Sequence, residues 1–420
     1  MSDPSRVRTG TGAHVGNVSG ASAIHVLFLI FGVVASAFFP FFSLFLSDRG
    51  LTVDQIGLVV SAMAFARVVF SPLWGHVADA SLGRRRVLQL GTGAAAILAL
   101  VLFVLGEQVW AVAAVSIGMA GASCTAGPTL DALALDHLGD EGMADYGRIR
   151  GWGSLTYGIA NFVFGAVLEL VGVGWSMPFY AIGLVATAVW AFTIPVDAPK
   201  HTSGGKLGAV GDVFRASRRI VPYLAGIFLV GVGFAAAWSF LALRIEGTGG
   251  GPLLVGIGAG IGGLVEVPMM RWSSRLSRRI GLRRVYVSGC VIYAIGFVLW
   301  GLIDDPVIIS MLTVIEGLGF AFIFTSGVVI VGRLVPSSLY ATGQSLSQTV
   351  YFGIGPIVGG AVGGFVYRYV SPTALYLGAS ALTLAGAAIV WVTLTSPAFL
   401  GPVPDDEAAA PAPSEGTGHP

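Results

Sequence analysis

Charge is scarce in this sequence. Asp, Glu, Lys and Arg make up 11% of its 420 residues, against about 25% in ordinary soluble domains. A chain so poor in charge cannot cover a soluble surface of its own. It holds only two cysteines, Cys124 and Cys290, each inside an apolar run, which argues against a disulfide framework or a thiolate metal site. No His/Cys cluster, P-loop or nucleophile motif stands out, so no catalytic residue, metal or cofactor is expected. The formal net charge of +1 gives no basis for a nucleic-acid partner.

Apolar residues are abundant, at 55% with a mean hydropathy of +0.83. Runs long enough to cross a hydrocarbon core, which takes roughly 20 residues, recur near 23–46, 53–75, 87–106, 108–130, 151–172, 175–196, 220–245, 252–272, 285–303, 306–332, 339–366 and 372–396. They are continuous rather than alternating, which excludes a membrane β-barrel. The expectation is an all-α membrane protein with twelve transmembrane helices. The first run mimics a signal peptide at Ala35-Ser36-Ala37, but its apolar stretch continues to Leu46, too far for a cleaved h-region.

The longest internal break divides the runs six and six. Residues 23–196 and 220–396 read as two six-helix bundles, with 197–219 as the linker between them. Residues 1–22 and 397–420 carry no periodic pattern and read as disordered tails. Lys and Arg are distributed unevenly. The N-terminus and alternate loops hold 19, while the opposite loops hold only Arg49, Arg244 and Arg368. That bias places both termini on the cytoplasmic side of the cell membrane. The halves also resemble each other. Residues 157–167, YGIANFVFGAV, match residues 352–362, FGIGPIVGGAV, at six of eleven positions. Gly83-Arg84-Arg85-Arg86 has a degenerate counterpart in Gly281-Leu282-Arg283-Arg284, at nearly the same offset. Two matches in one register point to a duplicated unit.

The segment GHVADASLGRRR, residues 75–86, lies between the second and third runs. Its Gly75, Asp79, Gly83, Arg84 and Arg85 resemble the signature loop of the major facilitator superfamily. Here three residues separate Asp79 from Gly83, where that family usually has two. The resemblance implies two pseudo-symmetric six-helix bundles and a secondary transporter for a small-molecule substrate. An aspartate at the end of a helix can face the N-terminus of another helix, whose free N–H groups favour a carboxylate. The eleventh run starts on the same side behind Pro336-Ser337-Ser338. A latch from Asp79 to residues 338–342 that makes and breaks between states is therefore expected, with Gly75 and Gly83 permitting close approach. The bland alternative is that Arg84–Arg86 only anchor the loop and Asp79 is their counterion.

A second stretch, YGRIRGWGSLTYGI at residues 146–159, resembles the opening of the fifth helix in the phenylpropionate permease and sugar or nucleoside proton-symporter group. The resemblance implies that Arg148 and Arg150 pair with Asp131, Asp136 or Asp145 as gating architecture. A competing signal, GIGPIVGG at 353–360, resembles the end of a motif of proton-coupled drug antiporters, although it lies in the eleventh helix rather than the fifth. Its bland reading is helix packing through small residues.

Ionisable groups deep in a membrane are functional candidates by default. Arg67, Glu266 and Glu316 are the candidates for substrate binding or proton coupling. By analogy with the superfamily, Glu316 stands in the cavity wall and Arg67 at its side. A carboxyl group so placed can take a proton from one side and release it on the other. For Arg67 the structural alternative is an ion pair or a clamp on backbone carbonyls. The resulting expectation is proton-coupled symport by a monomer in the bilayer, with proton and solute as partners. Efflux antiport is the alternative, and a sensor or enzyme that kept the fold is a further one.

Overall fold

The structure, a computed structural model, describes residues 15–138, 143–194 and 209–400. Twelve helices among them are long and apolar enough to cross a membrane. They are α1 (Ser22–Asp48), α2 (Val53–Leu82), α3 (Arg84–Val104), α4 (Val109–Ala134), α5 (Ile149–Val171) and α6 (Val173–Thr193) in the first half. The second half holds α7 (Ile220–Gly247), α8 (Pro252–Ile280), α9 (Leu282–Leu302), α10 (Pro306–Leu334), α11 (Ser337–Tyr369) and α12 (Pro372–Thr393). No strand occurs among the described residues. Every apolar run has its helix. At the ends of α2 and α8 the helix continues well beyond the apolar stretch. In α8 the extra turns carry Arg275, Arg278 and Arg279. A helix can run on into water because its backbone hydrogen bonds are internal, while its charged side chains reach solvent.

Three short elements correct the expected boundaries. The helix that becomes α1 already begins at Val15, inside the expected tail 1–22. Adding residues to an existing helix is far easier than nucleating one, and no proline intervenes there. Helix Ala209–Ala216 lies within the expected linker 197–219, with Val213 fully buried. A turn at Pro397–Leu400 packs on α9 through buried Phe399, inside the expected tail 397–420. The rest of both tails, and residues 195–208 of the linker region, lie outside the described residues.

The repeat seen in sequence has a structural counterpart. Gly83 before α3 and Gly281 before α9 share one backbone conformation, at φ 77° and 89° with ψ 154° in both. That region of φ is open to glycine and strained for other residues. Arg49 at the end of α1 donates to the carbonyls of Phe103 and Leu105, at 2.9 and 2.8 Å. Arg244 at the end of α7 donates likewise to Trp300 and Ile303, at 3.1 and 2.9 Å, and pairs with Asp304 at 2.7 Å. Each arginine thus satisfies carbonyls left free at the end of the third helix of its own half. The extra residue between Asp79 and Gly83 is absorbed by a π-helical turn at Ala78–Leu82, closed by the Gly83 N–H on the Ala78 carbonyl.

The two halves meet through α2 against α11 and α5 against α8. Small residues bring these backbones together. A Cβ on Gly57 would stand 2.9 Å from Gly364 Cα, and one on Gly165 would stand 2.9 Å from Gly256 Cα. The Ser61 hydroxyl donates to the Ile357 carbonyl at 2.6 Å, and the Ser43 hydroxyl to the Ser239 carbonyl at 2.6 Å. At the ends of these helices the Arg368 guanidinium donates to Asp54, and the Glu169 carboxylate accepts from the Leu253 N–H at 2.9 Å. The halves are therefore closed against each other on the face that carries the α1–α2 and α7–α8 turns.

Candidate functional site

Between the halves lies a cavity of about 350 Å³. It is walled by α1 (Phe28, Phe31, Gly32, Ala35, Phe39), α4, α5 and, from the other half, Trp238 of α7 with Gly263 and Glu266 of α8. Asp131 and Arg150, near the ends of α4 and α5, also line it. The cavity therefore reaches the face of the α2–α3 connection, opposite the closed one. A second cavity of about 180 Å³ shares Phe31, Ala35, Phe39 and Gly127 with the first and extends it into the first half. The central cavity is in the size range of sites for small organic molecules, and the extension adds to it.

The candidate residues fall into three positions. Arg67 lines the 180 Å³ extension beside Cys124 and Tyr180, its Cζ 5.7 Å from the centre of the Phe39 ring. Neither the ion pair nor the carbonyl clamp expected as its bland alternative is found among the described residues. Glu266 lines the central cavity directly. Glu316 does not line it, which corrects the expectation that it stands in the wall. It is 4% exposed and sits one layer back, between α8, α9 and α10. The Tyr293 hydroxyl donates to its Oε1 at 3.3 Å. Its Oε2 lies 3.3 Å from where a Cβ on Gly262 would be, one helical turn before Glu266. The absence of a side chain at Gly262 leaves room for that carboxyl group.

Near the mouth, Arg150 pairs with Asp131 at 3.3 Å. The side chains of Arg148, Asp136 and Asp145 lie outside the described residues. Asp79 pairs with Arg84 at 3.8 Å. Arg84 also reaches the Ala132 carbonyl at 3.3 Å, and Arg85 the Ile194 carbonyl at 2.8 Å, tying the start of α3 to α4 and to the end of α6. Gly83 is needed for its backbone angle. A Cβ on Gly75 would meet nothing within 4 Å, so on this open face that glycine has no close neighbour. The small residues of GIGPIVGG serve helix contact. A Cβ on Gly359 would stand 2.6 Å from the Val232 carbonyl, and one on Gly360 3.0 Å from that of Gly57.

Sequence reasoning missed Tyr157, Trp238 and Tyr293. The first was within reach. Arg150, Gly153, Ser154 and Tyr157 all line the cavity at spacings of three, four and seven residues, one face of a helix. Trp238 and Tyr293 carried no local signal, since aromatics abound in membrane helices.

The description of the MFS_1 like family matches residues 22–378. The chain belongs to that family. Among its relatives, the maltose permease of Geobacillus stearothermophilus is 26% identical over 376 residues, which span 87% of this chain and 91% of that one. The probable 3-phenylpropionic acid transporter of Escherichia coli (strain K12) is 26% identical over 346 residues, 79% of this chain and 87% of that one. A solved structure of the nucleoside transporter NupG superposes with a TM-score of 0.76 at 17% identity, covering 90% of this chain and 99% of that one, a likeness of fold. This member of the MFS_1 like family is thus a major facilitator transporter of small solutes rather than an enzyme, and a multi-pass membrane protein.

Proposed function

We propose that this transporter is a proton-coupled symporter of a small organic solute, working by alternating access in the cytoplasmic membrane with both termini in the cytoplasm. In that orientation the cavity opens inward and the closed face is the outer gate. The carrying observation is the pair of carboxyl groups on the second half, Glu266 in the cavity wall and Glu316 directly behind it. A proton held there neutralises a charge that is costly to carry through a closed, dry intermediate. Release into an open, wet cavity completes the cycle. The two halves then rock about the solute between them. Asp79 is the latch that seals the inner face on residues 338–342 in the outward-facing state and lets go in the inward-facing one. The transporter works as a monomer.

The test is uptake by proteoliposomes, run on a panel of sugars, nucleosides and organic acids with and without an inward pH gradient. Glu316→Gln is expected to abolish accumulation against a gradient while preserving counterflow, because only the protonation cycle is lost. If that variant still concentrates solute, the role passes to Glu266, and Glu266→Gln should show the same split. Accumulation driven by a gradient of opposite sign identifies an antiporter, and none driven by any pH gradient removes the proton from the mechanism. A C-terminal reporter active only in the periplasm should stay silent.

A further inference from the structure

Arg67 is a cation near the middle of α2, well away from either end of the helix. A charge at such depth is normally paired or bound to carbonyl oxygens. Arg67 has neither partner among the described residues; what it touches is the face of Phe39. Its nitrogens are absent from the buried atoms that lack a partner, so they keep contact with open space, and that space is the 180 Å³ extension. The remaining lining is mostly apolar, with Phe31, Phe38, Val34 and Leu184 around the pocket, Ser123 also in its wall, and Cys124 and Tyr180 beside the guanidinium. The extension opens into the central cavity through Phe31, Ala35, Phe39 and Gly127, which line both.

The geometry points to Arg67 as the seat of a substrate carboxylate, and so to a small monocarboxylic acid with an apolar or aromatic body as the solute. A planar guanidinium fork matches a carboxylate with two parallel hydrogen bonds. One cation with no ion-pair partner among the described residues balances one negative charge, which suits a monoanion better than a phosphate ester. The aromatic rings on α1 offer the body of the acid an apolar surface in the shared part of the two cavities. The selection is by charge at the inner end and by apolar fit along the way. The neutral amide of the same acid leaves the guanidinium buried without its anion and is rejected. This inference rests on the central cavity being the transport site. It does not depend on what drives transport.

Cys124 supplies the readout. It lines the same pocket as Arg67, whereas Cys290, the other cysteine of the chain, is fully buried. The experiment measures the rate at which N-ethylmaleimide alkylates Cys124 in the purified full-length protein, with the labelled residue identified by mass spectrometry. The probes are benzoate and cyclohexanecarboxylate, each beside its primary amide, with maltose and uridine for comparison. At least one acid is expected to protect Cys124 at a concentration about 10-fold or more below its amide. In Arg67→Gln that preference should vanish, and Arg67→Lys should retain it in weakened form. Equal protection by acid and amide in the unmodified protein, protection only by maltose or uridine, no protection by any probe, or an acid preference that survives Arg67→Gln would each overturn the assignment. The acid–amide comparison needs no variant, so a failure of Arg67→Gln to fold leaves it decisive. Binding is read at equilibrium without a gradient. An acid that binds through Arg67 but is not driven by protons would refute the coupling proposal alone.

Discussion

Replacing Gly256 by alanine should force the closed face open. A Cβ at this position in α8 would stand 2.7 Å from Gly165 Cα and 3.0 Å from Gly165 N in α5, and closer still to the Asn161 carbonyl oxygen. All three atoms belong to backbone, so no rotamer change relieves the clash. Helices α5 and α8 would have to part by several tenths of an ångström along their tightest contact. Overpacking of this kind costs about 1–3 kcal/mol. The cost falls on the state in which these helices touch and not on the state in which they have separated. It therefore shifts the balance between the two by about 5- to 150-fold, at 1.4 kcal/mol per factor of ten. The assay is the accessibility of Cys124 to a membrane-impermeant maleimide added from either face of sealed vesicles. The unmodified protein should label faster from the face of the α2–α3 connection, and Gly256→Ala should move labelling toward the other. Gly93→Ala and Gly378→Ala are the controls, since a Cβ at either site would meet nothing within 4 Å. An unchanged preference in a folded Gly256→Ala protein, or an equal shift in the controls, would refute the argument from close packing.

The ion pair across the same face should matter far less. Asp54 and Arg368 are partly solvated, at 23% and 38% side-chain exposure, so solvent screens their attraction and Arg368→Gln should weaken closure only slightly; the same labelling assay should register a much smaller shift than for Gly256→Ala. Arg244→Gln should lower thermal stability in detergent, by about 2–4 kcal/mol, because it strands the Trp300 and Ile303 carbonyls and removes the partner of Asp304. A melting temperature within a degree of the parent protein would count against that staple. Asp79→Asn should slow transport while expression, insertion and melting temperature stay near those of the parent; normal uptake would remove the latch.

How much of this molecule its sequence disclosed follows from the range over which each signal acts. Hydropathy is summed along the chain, so the twelve spans, the six-plus-six division and the repeat could all be read without coordinates. Spacing within one helix is equally local, and it would have grouped Arg150, Gly153, Ser154 and Tyr157 on one wall had the tyrosine been weighed with its neighbours. Helix extensions such as Val15 to Ser22 escaped because polar, flexible composition says little about a ladder propagating from an apolar helix. Depth in a helix singled out Arg67, Glu266 and Glu316 alike, yet could not rank them. Which of them faces a cavity depends on the rotation and tilt of α2, α8 and α10, and these are set by backbone contacts at Gly57, Gly165, Gly256 and Gly317 with partners far away in sequence. Only the packed bundle put Glu266 at the wall, Glu316 behind it against Gly262 and Tyr293, and Arg67 in a pocket with no anion among the described residues. A charge buried in a membrane is visible in the sequence, but the presence or absence of its partner is decided by the tertiary structure.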